Sequence, residues 1–163
     1  MKLKYFFCVV FVMIFLNACA HYEIAPESEQ SFTKIIEVSE PSIETINAKT
    51  VEWVLKTFPS IMKKDIEVNS ESIKFIGSKS VEMVGLYGMV TPYMVNYFVS
   101  IEIKSGKLKL SFSDYYIVTG GSGKETSKTP ATYKGMVEPL NKAFKQYSSD
   151  LQNYINGKKD ADW

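Results

Sequence analysis

The side chains that could carry chemistry are few in this sequence, and they lie far apart. Nucleophilic catalysis needs an activated serine, cysteine or lysine with a base beside it. The sole histidine, His21, lies in a polar stretch near the start, and both cysteines, Cys8 and Cys19, fall close to the N-terminus. Cys8 is embedded in an apolar run and reads as a small hydrophobe. A His/Cys metal centre is excluded by the same scarcity, and no Asp-x-Asp-x-Asp-Gly calcium loop occurs, so neither a metal nor any other cofactor is expected. Gly120-Gly-Ser-Gly-Lys124 has the look of a phosphate loop, but that pattern needs glycine where Val118 stands and Ser or Thr where Glu125 stands. The carboxylates Glu67, Glu71, Glu82 and Asp114 could work as an acid/base pair only if the fold brought two of them together. The chain is therefore read as a non-enzyme, with a carboxylate-based hydrolase as the least favoured alternative.

Cys19 is different, because its neighbours match one specific modification. Lys2 and Lys4 form a basic head, and an apolar run from Tyr5 to Leu16 follows. That run has the length of a signal-peptide core and falls well short of the roughly 20 apolar residues that span a bilayer. Leu16-Asn17-Ala18-Cys19 then resembles the lipobox of bacterial lipoproteins: an aliphatic residue, a tolerated middle residue, a small residue and the cysteine. The resemblance implies a diacylglycerol thioether on the Cys19 sulfur and cleavage of the Ala18–Cys19 bond, where only a small side chain fits. Ala20 is not the aspartate that retains many such proteins in the inner membrane, so an outer-membrane location is favoured.

Removal of residues 1–18 takes away two lysines and leaves 17 Lys+Arg against 18 Asp+Glu, so the formal charge moves from +1 to −1. A neutral domain has no field with which to collect polyanions, and no nucleic-acid partner is expected. Only Cys19 remains, so an exported domain must be stable without a disulfide. With 45% hydrophobic and 13% aromatic residues the material for a packed core is present.

The elements follow from periodicity. Residues 19–30 are polar and read as a lipidated, flexible tether ahead of a single domain at 31–157, with a frayed tail at 158–163. Phe32 to Val38 is a first strand, and Ser39-Glu-Pro-Ser42 stops it and caps a helix. Ile43, Ile46, Thr50, Val54 and Phe58, widened by Val51 and Leu55 and bordered by Trp53, give that helix its apolar stripe. Residues 66–68, 72–80 and 81–90 read as strands, with Gly77, Gly85 and Gly88 at turns, bulges or close approaches, and Pro92 interrupts or begins a strand.

The two-residue turn Ser105-Gly106 predicts a hairpin that pairs Ile103 with Leu108, Ile101 with Leu110 and Val99 with Phe112 on one face. Glu102 then meets Lys109, and Ser100 meets Ser111, on the other. Residues 119–131 read as a loop. Leu140, Phe144, Tyr147, Leu151 and Tyr154 mark a second amphipathic helix, with Pro139 in its first turn, an added entry turn from Tyr133 to Val137, and Gly157 as its stop.

This order and some of its wording resemble an uncharacterised family of bacterial envelope proteins, described as a domain of unknown function with a TBP-like fold. The residues that carry the resemblance are Phe32 to Val38, Lys49-Thr-Val-Glu-Trp-Val-Leu-Lys-Thr-Phe58, Ile73-Lys-Phe-Ile-Gly77, and Val99 to Tyr115 with its Lys-Ser-Gly-Lys turn. It covers about residues 31–155, with Ser105 where an acidic turn residue is expected. It implies an α+β fold in β-α-β-β-β-β-α order: a curved antiparallel sheet with two helices packed on one face. It implies no activity and no site residues, and a shared shape does not confer DNA binding.

A sheet face without helices is a surface offered to something. The expectation is a membrane-anchored binding or interaction module, its partner an envelope protein or a small ligand. Phe98 and Tyr115 are the candidate residues on that face. The alternative is a structural or exclusion-type envelope lipoprotein without a ligand pocket.

Overall fold

The computed structural model describes residues 23–40, 42–84, 88–119 and 127–157. Leu16, Asn17, Ala18, Cys19, His21, Gly85, the Gly120–Lys124 segment and the tail 158–163 lie outside the described residues.

Among the described residues six strands form one antiparallel sheet: β1 (Phe32–Glu37), β2 (Glu67–Asn69), β3 (Ser72–Val84), β4 (Val90–Lys104), β5 (Lys107–Thr119) and β6 (Ser127–Pro130). Their order is β1-β5-β4-β3-β2, and β6 also lies on β5. Two α-helices among the described residues, α1 (Ile43–Thr57) and α2 (Lys134–Ile155), pack against the sheet and contribute to the core. The α+β class, the antiparallel sheet and the two-helix arrangement are those expected.

The Ser105-Gly106 hairpin has the predicted register, with Ile103 opposite Leu108, Ile101 opposite Leu110 and Val99 opposite Phe112. All six of these side chains are buried, because a residue-by-residue match places both alternations on the same side of the sheet. Gly106 takes φ 70°, a region that glycine enters without steric cost, and the chain reverses within two residues.

Helix α1 starts at the Ser42 cap, whose hydroxyl accepts from the Thr45 amide at 3.3 Å. It buries Ile46, Thr50, Trp53 and Val54, and the Trp53 ring meets Phe58 edge-on at 5.7 Å. Helix α2 lays Phe144 flat on Phe112 of the sheet, with ring centroids 3.9 Å apart and planes 8° apart. Burial of Met136 and Val137 extends α2 back to Lys134, so Pro139 stands in the second turn and not the first.

Two further expectations are corrected. Residues 127–130 form β6, where a loop was expected. The cause is the edge of β5: β1 pairs with it only from Lys107 to Phe112, and β6 pairs with it from Tyr116 to Thr119. Pro130, which has no amide hydrogen to give a ladder, ends β6. Residues 23–30, expected to be part of a flexible tether, pair with the folded domain instead. Ile24 bridges to Tyr133, Ala25 is buried and donates its amide to Thr132 O at 2.8 Å, and Gln30 Nε2 donates to Ala25 O at 2.7 Å.

Candidate functional site

Strand alternation gives the sheet two unlike faces. On β3 and β4 the odd-numbered residues Ile73, Phe75, Val95, Tyr97, Val99 and Ile101 are buried beneath the helices, and the even-numbered ones point the other way. Among the described residues no helix lies on that second face.

The bare face has two zones. Near the Ser105-Gly106 turn it is charged: Lys109 Nζ and Glu102 Oε1 are 2.9 Å apart, and Lys74 lies 3.9 Å from Glu67. The lysine beside Glu102 holds its carboxyl below the usual range, through their hydrogen bond first and their charges second. Further along the strands apolar side chains appear on this face among Ser78, Ser80 and Asn96. Ile76 stands opposite Phe98 in the β3–β4 register, with Met94 two pleats along β4 from Phe98. Ile76 and Met94 are 55% and 57% exposed, which leaves aliphatic surface open to water beside a half-buried phenylalanine. Tyr116, opposite Asn96, and the exposed Val118 lie on the same face of β5.

Phe98 is therefore on the face where it was expected. Tyr115 is not: it is 5% exposed, its ring lies 5.7 Å from Phe144 of α2, and its hydroxyl is 3.2 Å from Asn141 Oδ1. The cause is a β-bulge. Phe98 faces Ser113 and Asn96 faces Tyr116, so two steps along β4 are matched by three along β5. Asp114 absorbs the extra step with φ 52°, the only positive φ of a non-glycine residue among those described. Beyond it the alternation is inverted, Tyr115 turns into the core and Tyr116 takes its place outside. Nothing in the residue pattern at 112–116 announces the extra step. Ile76 and Met94, by contrast, could have been found by extending the Phe98 alternation along β4 and across to β3.

The bulge also opens a cleft of about 450 Å³ lined by Gln30, Asp114, Tyr116, Lys128 and Thr132. Lys128 Nζ lies 4.8 Å from the centroid of the Tyr116 ring, a cation–π contact at the cleft wall. Asp114 Oδ2 accepts from the Ser113 hydroxyl at 3.1 Å.

The other carboxylates do not join Asp114. Glu71 lies immediately before β3 and Glu82 near its far end, about 36 Å apart at about 3.3 Å per residue. Asp114 sits two strands away from β3, across β4. Among the described residues no cluster of His, Cys, Asp or Glu could hold a metal ion, and no helix is long and apolar enough to cross a membrane.

A core group stands out on the helix side. Tyr97 is fully buried and its hydroxyl has no hydrogen-bond partner among the described residues. Burial raises the phenol pKa above the ordinary tyrosine value, and the neighbouring Tyr147 and Tyr115 add to the shift. Tyr115 and Tyr147 are raised for the same first reason.

The geometry has counterparts among known proteins. A family model described as a domain of unknown function (DUF4468) with TBP-like fold matches residues 32–117, which is more than half of the chain. A crystal structure of a TBP-like protein from Parabacteroides distasonis is 14% identical with a TM-score of 0.55, covering 84% of this chain and all of that one. A crystal structure of a DUF4468 family protein from Bacteroides ovatus is 13% identical with a TM-score of 0.52, covering 86% of this chain and 94% of that one. At these identities the two structures show the fold. No curated protein matches.

Proposed function

We propose that this chain, which belongs to the DUF4468 family of domains with a TBP-like fold, is a lipid-anchored cell-envelope module that captures a protein partner on the bare face of its sheet. The observation that carries the proposal is the Ile76–Phe98 pair, with the exposed Met94 beyond the Asn96–Ser78 pair, on a face that no described helix covers. Contiguous exposed apolar surface is costly in water and marks interaction sites, and the facing Ile76 and Phe98 supply such a pair. The charged zone beside it, with Glu102, Lys104, Lys107 and Lys109, supplies a polar rim that fixes orientation without contributing much affinity.

The anchor is the thioether on Cys19 implied by Leu16-Asn17-Ala18-Cys19. Two or three acyl chains, at about 0.8 kcal/mol per buried methylene, hold a protein far more firmly than one myristoyl chain. The outer membrane is the proposed location, since Ala20 follows the cysteine.

Crosslinking in intact cells, followed by affinity capture of the tagged lipoprotein, tests the proposal. Ile76→Ser with Met94→Ser should abolish a specific crosslinked product, while substitutions on the charged zone should leave it in place. Loss in neither variant sinks the proposal. A second reading, small-ligand binding at the bulge, is favoured by the strained Asp114 beside the Lys128–Tyr116 pair. Under that reading Lys128→Ala abolishes binding and Ile76→Ser does not.

A further inference from the structure

The chain joins the domain close to Cys19. The Lys134 amide donates to Glu23 O at 2.8 Å, and Lys134 Nζ lies 2.8 Å from Glu23 Oε1. Ile24 and Tyr133 form a β-bridge, and Ala25 is buried behind them. Only residues 20–22 therefore lie between Cys19, whose sulfur would carry lipid, and the docked chain. Fully extended, the four steps from Cys19 to Glu23 reach about 14 Å, at no more than about 3.6 Å each. The headgroup layer of one leaflet takes about 5–8 Å of that. A tether of this length cannot hold the domain away from the membrane.

We infer that the end of the domain at Ile24 and Tyr133 is a membrane-seating surface, resting on the headgroups of the leaflet that holds the anchor. The inference rests on the lipidation of Cys19 proposed above. Ile24 is 64% exposed and Tyr133 39% exposed, an aliphatic and an aromatic side chain next to each other where the chain enters from the lipid. Tyrosine suits this position, since its ring is apolar and its hydroxyl stays hydrated among headgroups. Glu23 and Lys134 pair with each other, and Glu29 and Glu138 stand nearby. That balance disfavours anionic lipid, so the fitting surface is zwitterionic. The contact is small, and the anchor makes it effective by keeping the effective concentration high.

The test uses the processed, full-length lipoprotein in vesicles of zwitterionic phosphatidylcholine and phosphatidylethanolamine whose acyl chains carry bromine. Fluorescence quenching is compared for Ile24→Trp, Tyr133→Trp and a control, Ile35→Trp, each relative to the unsubstituted chain. Ile35 is 63% exposed and lies on β1 opposite Lys109, near the other end of the sheet. At least twofold stronger quenching at positions 24 and 133 than at 35 is expected, and equal quenching at all three overturns the inference. The intact mass of the mature chain reports the lipid on Cys19 separately. If that mass shows no lipid, the anchor reading fails by itself. The chain beginning at Cys19 is then coupled through its thiol to a maleimide phospholipid in the same vesicles. The same three positions are compared there, with the same two outcomes.

Discussion

Gly77 and Tyr97 face each other across β3 and β4, and the tyrosine ring fills the space that a side chain at 77 would need. A Cβ built on Gly77 would stand 2.5 Å from Tyr97 Cε2 and 2.9 Å from Cζ. The ring is in turn held edge-on to Phe144, 4.9 Å away, so it cannot retreat into a void. Gly77→Ala should therefore cost about 1–3 kcal/mol, the usual range for overpacking. Urea unfolding should show a lower midpoint with an unchanged slope.

The buried hydroxyl of the same tyrosine has no partner among the described residues. Leaving such a group in a dry core costs about 1–3 kcal/mol, so Tyr97→Phe should be neutral or stabilising. Tyr115→Phe is the contrasting case. It removes contacts to Asn141 Oδ1 at 3.2 Å and Phe112 O at 3.4 Å, and should cost about 1 kcal/mol. The two variants should thus move the thermal midpoint in opposite directions, or leave the first unmoved and lower the second.

The same burial predicts an alkaline limit. Burial holds the folded-state phenol pKa values of Tyr97, Tyr115 and Tyr147 above the ordinary tyrosine value of 10.0. A group whose folded pKa is raised contributes stability that is complete below its unfolded pKa and is lost as pH rises towards the folded value. Stability should therefore decline above pH 10, where the unfolded phenols ionise. Ultraviolet titration should show a late class of tyrosines whose ionisation coincides with loss of the far-ultraviolet signal.

The bulge makes its own prediction. Asp114 holds φ 52°, where a β-branched side chain is strongly disfavoured. Asp114→Val should lose about 1–2 kcal/mol, while Asp114→Gly should lose nothing, since glycine relieves the local strain. Equal destabilisation by both would mean that the carboxylate, through Ser113, matters more than the backbone.

The hairpin was legible because its signal is local: Ser105-Gly106 fixes the turn, and strict alternation fixes Ile101 against Leu110 and Glu102 against Lys109. Both helices were legible for the same reason, through stripes such as Ile46-Thr50-Trp53-Val54. What stayed hidden depends on partners distant in the chain. β6 exists because β5 has an edge to cover, and residues 23–30 are docked because Thr132 and Asn141 offer them backbone and side-chain partners. Tyr115 was misplaced because one inserted residue inverts every later position on the strand. Phe98, ahead of any such break on β4, was placed correctly.

Photocrosslinking from position 98 tests the account most directly. A photoreactive phenylalanine replaces Phe98 in the full-length chain, with the same group at the exposed Met62 as the control. In intact cells, position 98 should give a discrete protein adduct that Met62 does not give and that Ile76→Ser removes. No adduct at 98, or the same adducts from both positions, would contradict the claim that the bare sheet face holds a partner.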